Sequence, residues 1–439
     1  NFGPSTPGAV NLVSGNTGGV DTSHSLPQPF TGSGNVIADG GSGFSVIGDQ
    51  RPYYDDCNPT KNAATSLTGK NIGDELNAAG LSWGWFQGGM TPSTPYTGQP
   101  NNAGNPYDNL AVQNSGLQAK CATTHNVGTA LGGTGTTGAK PYGVTADYIS
   151  HHEPFDYYAS TANPHHLVPS SLSQVGTDTQ HYDGLVPMFD TPNHQYDIRV
   201  WDQLVQAIAQ GTQPNSLLPA VSFLKAPAYE DGHQGYSDPI DEQVFVTKEI
   251  NALEQTPDWA HTAVVITYDD SDGWYDHVWS GAQNGNQPQN SSQTSSDALT
   301  GTGQCGTSST HLGGEQGRCG FGPRTPFLVV SPCAKSNYVD HTLINQASVT
   351  KWIEDNWGLP AIANSFDSSS GTMNNMFDFS NCTNPKVYLA SATGQVTDVP
   401  DPIVPDSRMP AMFAGVGAVL LAGGTFVGVN RRRRRSATA

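Results

Sequence analysis

The run of residues 264–270, Val-Val-Ile-Thr-Tyr-Asp-Asp, constrains the fold of this chain more than any other segment. Its β-favouring residues predict a buried strand that delivers Asp269 and Asp270 together to its carboxyl end. In open α/β sheets this end of the strands forms the edge at which ligands and metals bind. Two adjacent carboxylates repel each other and burial raises their pKa, so a hard divalent cation is their natural partner.

Helical and strand patterns alternate around this run. Apolar residues recur on one helical face between residues 200 and 208, and the apolar run 218–224 predicts a short strand. Residues 237–239, Ser-Asp-Pro, predict the start of a second helix. The apolar run Phe327–Val330 precedes a third helix around Trp352. This alternation predicts an α/β fold with a largely parallel sheet and helices on both of its faces.

The composition indicates a loop-rich, acidic protein. Only 13% of the residues are charged, and Gly, Ser, Thr, Asn and Pro are abundant, which is typical of a secreted protein. The stretch 281–322 is too polar for a core and predicts a long surface insertion. The net charge is -19 although five of the 19 Lys and Arg residues lie in the run 431–435. The acidic remainder argues against nucleic acid as a partner, because phosphate backbones are bound by clustered Lys and Arg.

The C-terminal part predicts a membrane anchor. Residues 411–430 carry no charge and have about the ~20 residues that a helix needs to cross a bilayer. The arginines of the tail 431–439 would stay cytoplasmic, which puts the rest of the protein on the extracellular face of the cell membrane. A buried core helix is the alternative. The predicted organisation is then a globular domain over 1–384, a Pro- and Asp-rich stalk over 385–410, the transmembrane helix and the basic tail.

Six cysteines give an even count, which is compatible with three disulfides in an oxidising compartment. Cys305 and Cys319 bracket a Gly-rich loop and are the favoured pair. The cysteines form no C-x-x-C arrangement, so a thiolate zinc site is not expected. The chain begins at Asn1 without Met or a signal peptide, and we expect it to be an N-terminally incomplete fragment.

Three further clusters carry side chains suited to catalysis. Ser5 lies where a Gly-Pro-Ser-Thr-Pro-Gly turn opens into an apolar segment, so its hydroxyl is either an ordinary helix cap or a nucleophile beside unpaired backbone N–H groups. His151 and His152 are adjacent imidazoles that can bind a metal, hold a phosphate or donate a proton, although a surface pair is equally compatible with the pattern. His233 follows the strand predicted before residue 225 and approaches the same sheet edge.

Long motifs between Gly3 and Thr342 make the chain resemble a known family. They read GPSTPGAVNLVSG from Gly3, HHEPFDYYAS from His151, APAYEDGHQGYSDP from Ala226, VVITYDDSDGWYDHV from Val264 and GFGPRTPFLVVSPCAKSNYVDHT from Gly320. The chain resembles the bacterial phosphoesterase family of phospholipases C and acid phosphatases, a branch of the alkaline phosphatase superfamily. The resemblance implies an alkaline phosphatase-like α/β fold and metal-assisted hydrolysis of phosphate esters.

The resemblance also implies roles for individual residues. Ser5 matches the family's nucleophile, and Asp269 and Asp270 match ligands of a divalent metal ion. The histidines that surround the phosphate and the metal in the family match His151, His152 and His233. The family places a Glu-Asn pair that completes the metal site, and another histidine, well upstream of the nucleophile. This sequence does not contain them, and we expect them to precede Asn1 in a longer protein.

The implied substrate is a phosphomonoester or a phospholipid, cleaved through a serine phosphoenzyme. Acid phosphatase-like or broad phosphoesterase activity is favoured, since a choline-specific enzyme would need an aromatic cage. Trp83, Trp85, Tyr157 and Tyr158 could contribute to such a cage, although aromatic side chains pack in a core more often. The alternative from another class is a catalytically inactive, surface-anchored binding protein on the same fold.

Overall fold

The computed structural model describes residues 4–38, 43–58, 63–98, 116–127, 144–233, 235–270, 324–382, 386–400 and 427–430. The α-helices are α1 (Ser5–Ser14), α2 (Ile72–Ala78), α3 (Ile198–Ala209), α4 (Pro239–Glu254) and α5 (Ala347–Trp357). The strands of the N-terminal part are β1 (Val20–Asp21), β2 (Val36–Ala38), β3 (Phe44–Val46), β4 (Arg51–Pro52), β5 (Ala64–Leu67), β6 (Trp83–Gln87), β7 (Thr124–His125) and β8 (Thr145–Ala146). The later strands are β9 (Tyr182–Asp183), β10 (Val186–Pro187), β11 (Gln195–Asp197), β12 (Val221–Lys225), β13 (Thr262–Thr267), β14 (Phe327–Val330), β15 (Tyr388–Leu389), β16 (Val396–Thr397) and β17 (Val427–Asn430).

A six-stranded sheet with the order β11-β6-β12-β17-β13-β14 lies at the centre of the fold. β11, β6 and β12 are mutually parallel, and β13 runs in the same direction because β17 is antiparallel to both β12 and β13. β14 is antiparallel to β13. The predicted α/β class is therefore confirmed, but the sheet is mixed. The apolar pattern that identifies β14 does not encode its direction, which depends on the connection that precedes it.

Helices cover both faces of this sheet, as predicted. Along β6, Trp85 belongs to one hydrophobic core and its neighbour Phe86 to the other, because successive side chains of a strand point to opposite faces. Phe223 and Leu224 divide in the same way along β12. Residues of α1, α2 and α5 pack in the first core, and residues of α3 and α4 in the second. Each fully buried large apolar side chain contributes about 1.5–3 kcal/mol to stability.

The predicted helices and strands of the middle of the chain are confirmed with small shifts of their ends. The carboxylate of Asp238 accepts hydrogen bonds from two backbone N–H groups at the start of α4, and Pro239 follows as its first residue. Gly358 ends α5 in the left-handed conformation with φ of 65°, which glycine adopts without a steric penalty. β13 ends at Thr267, so Asp269 and Asp270 follow its carboxyl end as predicted.

The prediction of a transmembrane helix over 411–430 is wrong, and so is the prediction that this helix anchors the protein at the extracellular face of the cell membrane. Val427–Asn430, the end of that segment, form β17, whose backbone pairs with β12 and β13 in the central sheet. In the part of the chain that the structure describes, no helix is long and apolar enough to cross a bilayer. An apolar, Val- and Gly-rich sequence suits a sheet centre as well as a bilayer, because either environment favours apolar residues. Residues 411–426 and the tail 431–439 lie outside the described residues.

The first half of the predicted stalk forms a hairpin on α4. β15 pairs with β16, and the side chain of Asn251 forms hydrogen bonds with both backbone groups of Leu389, at 2.7 and 3.1 Å. Gln243 Nε2 donates to the Ser391 carbonyl oxygen at 2.9 Å. These bonds tie the hairpin to the globular part, while the boundaries of the predicted domains stay predictions.

Two disulfides join four of the six cysteines. Cys57 pairs with Cys121 and Cys333 with Cys382, across 64 and 49 residues of sequence. Closing loops of this length restricts the unfolded chain and stabilises the fold by on the order of 4 kcal/mol each. The favoured pair Cys305 and Cys319 lies outside the described residues, as does the polar insertion over 281–322.

Candidate active site

Ser5 begins α1 and faces the acidic end of β13. The residue is buried, with 6% of its surface exposed, and its Oγ donates a hydrogen bond to Asp270 Oδ2 at 2.6 Å. Pro4 occupies the N-cap position and no side chain caps the helix, so Ser5 is not the helix cap. The next backbone N–H, that of Thr6, donates to Asp49 Oδ1 at 3.1 Å. The serine hydroxyl thus lies at a helix start, whose dipole favours a negative charge.

Gly8 allows α1 to lie directly on the loop that carries the two aspartates. A Cβ atom at Gly8 would overlap the carbonyl oxygen of Asp269, so no larger residue fits between helix and loop. The same carbonyl oxygen accepts a hydrogen bond from Gln346 Nε2 at 2.8 Å. Helix and loop are therefore held in contact from two sides, which keeps Ser5 beside Asp270.

Lys225, the last residue of β12, is the cation next to the aspartate pair. Its Nζ lies 3.5 Å from Asp269 Oδ2, and 14% of its side chain is exposed. Burial opposes its charge, but Asp269, Asp231 and Asp270 raise the pKa of Lys225, which therefore remains protonated. One ammonium group thus balances part of the negative charge at this edge of the sheet.

The aspartate pair fits a hard divalent cation. Asp269 Oδ2 is buried and forms no hydrogen bond, and its 3.5 Å separation from Lys225 is long for a charge-assisted contact. Carboxylate oxygens are the ligands that such cations prefer. Asp269 and Asp270 would hold the ion, and Ser5 Oγ lies beside them through its bond to Asp270.

His151 and His152 lie on a 3-10 turn, Ser150–His152, that packs beside α1. Thr6 Oγ1 donates to the His151 carbonyl oxygen at 3.3 Å, and the two imidazole rings are 4.5 Å apart. Burial is the main cause that lowers the pKa of His151 to about 4. Burial, followed by the charge of Lys225, holds the pKa of His152 well below its usual range. Both rings are neutral at neutral pH, and each can donate one N–H hydrogen bond.

His233 lies at the rim of the site on the loop after β12. Its ring is exposed and stacks on Tyr236 with centroids 4.3 Å apart. Its backbone N–H donates to Asp231 Oδ1 at 3.0 Å, and the other oxygen of Asp231 lies 4.0 Å from His152 Nδ1. Asp231 therefore connects the two histidines from a side chain that is only 2% exposed.

Replacing Asp231 with asparagine should reveal its buried carboxyl group. Burial raises the pKa of Asp231 to about 6 against an ordinary value of 3.8. Between these pH values the folded protein thus binds more protons than the unfolded chain. The free energy of unfolding therefore falls as the pH rises toward and through about 6 and the buried carboxyl group ionises. We expect the stability of Asp231→Asn relative to the wild type, measured as the difference in free energy of unfolding, to be about 2–3 kcal/mol higher at pH 7.5 than at pH 4.

Urea unfolding of both proteins at the two pH values measures this difference. Asp183→Asn, at an exposed aspartate of the β9–β10 hairpin, is the matched control and should show a pH-independent difference from the wild type. A stability difference between Asp231→Asn and the wild type that stays constant with pH would contradict the raised pKa.

The structure brings five of the six predicted residues around one centre and places the sixth at its rim. The centre contains Ser5, His151, His152, Asp269 and Asp270. Four charged residues of this centre were not predicted from the sequence, namely Asp49, Arg51, Lys225 and Asp231. Lys225 was detectable, because it ends a predicted strand at the edge where ligands bind. Arg51 lies in the two-residue strand β4, for which the sequence carries no periodic signal.

Within the described ranges, two other groups of candidate metal ligands share His166 and do not include the aspartate pair. In one, Cys57 and Cys121 are joined by a disulfide and offer no thiolate. The other group consists of His166, Asp55 and Asp156, and all three residues are buried. The ring already forms hydrogen bonds of 2.9 Å to Asp55 Oδ1 and to the Met90 carbonyl oxygen. We interpret this group as a buried ion pair that stabilises the fold.

Comparison with known proteins identifies the family of this chain. The profile of the Phosphoesterase family matches residues 1–360. A non-hemolytic phospholipase C of Pseudomonas aeruginosa is 29% identical over 44% of this chain and 28% of its own length. A non-hemolytic phospholipase C of Burkholderia pseudomallei is 30% identical over 38% of this chain and 23% of its own. Phospholipase C B of Mycobacterium tuberculosis is 25% identical over 39% and 32%. The chain thus spans less than a third of these relatives, and by the match over most of its length it belongs to the phosphoesterase family.

Proposed function

We propose that the protein hydrolyses phosphate esters with Ser5 as nucleophile and a divalent cation bound by Asp269 and Asp270. The observation that carries this proposal is the 2.6 Å hydrogen bond from Ser5 Oγ to Asp270 Oδ2 at the start of α1. A serine in an ordinary structural role would cap its helix or bond to the backbone. Family membership and relatives named phospholipase C support the same reaction class.

The residues at the site account for both halves of the reaction. Ser5 Oγ forms a bond to phosphorus, the bond from phosphorus to the ester oxygen breaks, and the serine proton leaves through the hydrogen bond to Asp270. A bound cation would lower the pKa of the serine hydroxyl and neutralise charge on the phosphate. Water then attacks the phosphoserine: its oxygen bonds to phosphorus and the bond from phosphorus to Ser5 Oγ breaks. Ser5 takes back the proton held by Asp270, and the proton that the water loses goes to the imidazole that protonated the leaving alkoxide.

The two neutral imidazoles would serve the leaving group and the phosphate oxygens. A bound phosphate places negative charge beside His151 and His152, and this charge raises the affinity of the rings for a proton. One ring can then protonate the departing alkoxide while the other donates an N–H to a non-bridging oxygen. The positive end of the α1 dipole acts on the same oxygens.

Trapping the covalent intermediate tests this function. We expect the full-length protein to release phosphate from p-nitrophenyl phosphate in the presence of a divalent cation. Rapid acid quenching during turnover should leave a phosphate on the peptide that contains Ser5, as detected by mass spectrometry. Turnover without any phosphoserine at Ser5, under quench conditions that preserve serine phosphate, would contradict the proposed nucleophile.

A further inference from the structure

We propose that Arg51 and Lys225 form the charged part of the phosphate subsite and select the dianion of a phosphomonoester over a phosphodiester. The inference rests on the proposed function, whose catalytic centre these two residues flank. Neither residue belongs to the motifs that suggested the nucleophile or the metal ligands. Their selectivity follows from the contacts and charges around each of them.

Arg51 presents its guanidinium to the 3-10 turn Ser150–His152, which we call the histidine turn. Its Nη1 donates to Ser150 Oγ at 2.7 Å and lies 3.5 Å from His151 Nδ1. The preceding residue, Gln50, accepts a hydrogen bond from Thr6 Oγ1 at 3.2 Å, so β4 lies against the start of α1. Among the described residues no carboxylate lies within ion-pair distance of Arg51. A half-buried guanidinium with a neutral hydroxyl and a neutral ring as neighbours keeps donors available for an anion.

Lys225 approaches the same centre from the carboxyl end of β12 in the six-stranded sheet. It lines a cavity together with Gly8, His152, Asp231 and Asp269. Its nearest carboxylate oxygen is 3.5 Å away, which leaves room for a closer anion. A cation held by Asp269 and Asp270 would neutralise their negative charge, which weakens their attraction for Lys225 and lets its ammonium turn toward the phosphate.

Two permanent cations match a dianion better than a monoanion. A phosphomonoester has a second pKa of about 6 and carries close to two negative charges above it. A phosphodiester keeps one charge and therefore gains less from two cations than the dianion does. The aromatic residues considered for a choline cage are core residues, since at most 3% of the surface of each is exposed: Trp83, Trp85, Tyr157 and Tyr158. The site thus offers cations to a negatively charged phosphate, whereas of these four rings Trp85 lines the cavity of Lys225 and the other three do not.

Matched substrates measure the selectivity. We expect Arg51→Gln and Lys225→Gln each to lower kcat/KM for p-nitrophenyl phosphate at about pH 8 by roughly 100-fold. The loss for bis(p-nitrophenyl) phosphate and for p-nitrophenyl phosphorylcholine should stay below about 10-fold, since these carry one charge. Arg51→Lys and Lys225→Arg keep the charge and should restore part of the monoester activity. Lys335→Gln, at an exposed lysine, controls for the loss of a distant positive charge.

The competing outcomes separate this inference from the proposed function. Equal losses on monoester and diesters, or a wild-type preference for the choline diester, would overturn the selectivity and leave the hydrolase function standing. If no ester is turned over, calorimetry with inorganic phosphate decides. Binding that tightens as the dianion forms and that weakens at least about 10-fold in Arg51→Gln supports the subsite without the reaction. Binding unaffected by either substitution would refute the subsite. Should Lys225→Gln fail to fold, the Arg51 pair and Lys225→Arg carry the comparison.

Discussion

Replacing Ser5 with alanine should lower kcat for p-nitrophenyl phosphate by at least about 10⁴-fold, because the proposed covalent step would lose its nucleophile. The fold should survive the substitution. Ser5 forms one side-chain hydrogen bond, to Asp270, and α1 does not depend on it for capping. Removing the hydroxyl takes one hydrogen-bond donor away from the Asp270 carboxylate. We therefore expect the free energy of unfolding to change by about 1 kcal/mol or less.

Three measurements accompany this variant. Kinetics on p-nitrophenyl phosphate give the loss in kcat, and circular dichroism with urea unfolding shows whether the fold is intact. Ser173→Ala, at an exposed serine, is the matched control and should keep wild-type turnover. A folded Ser5→Ala protein that retains more than about a tenth of wild-type kcat would remove Ser5 from the reaction.

Much of the centre was predictable because strand ends fix positions in an α/β fold. The β-branched run before Asp269 identifies β13, and the end of a strand in such a sheet is a place where ligands bind. The turn at Ser5 leads into an apolar segment that becomes α1, so Ser5 lies at a helix start as its sequence suggests. Local patterns thus place both halves of the Ser5–Asp270 contact, although 265 residues of sequence separate them.

The rest of the site depends on contacts that no local pattern records. Arg51 reaches the histidine turn from a two-residue strand, and Asp49 meets Thr6 through a backbone N–H. Asp231 and Lys225 acquire their roles from the packing of two loops on the edge of the sheet. Such positions follow from tertiary packing, and one-dimensional periodicity carries no information on them.

The error at the C-terminus has a physical cause of the same kind. Hydropathy measures the cost of leaving water, and a strand at the centre of a covered sheet avoids water as completely as a helix in a bilayer. The four residues of β17 find backbone partners on both sides, in β12 and in β13. The length of an apolar sequence therefore does not distinguish a transmembrane helix from a strand at the centre of a sheet.

Asp269→Asn should abolish the response of the protein to divalent cations. The wild type should lose activity with a chelator and recover it on addition of a divalent ion, since a cation neutralises the adjacent carboxylates and activates the serine hydroxyl. At an ion concentration about 100 times the dissociation constant, binding should stabilise the wild type by about 2.7 kcal/mol. Asp269→Asn keeps the shape of the side chain but removes one charge, and its kcat/KM should fall by more than about 100-fold.

Thermal unfolding with and without the ion separates binding from catalysis in this variant. The melting temperature of the wild type should rise with ion concentration, whereas that of Asp269→Asn should stay nearly constant. Asp183→Asn changes the net charge equally at an exposed hairpin and should behave as the wild type in both assays. If Asp269→Asn still gains stability from the ion, the cation binds elsewhere on the protein. If the chelated wild type stays fully active, the ion is not required, and the positive charge that we assign to it must come from Lys225, 3.5 Å from Asp269, and from Arg51.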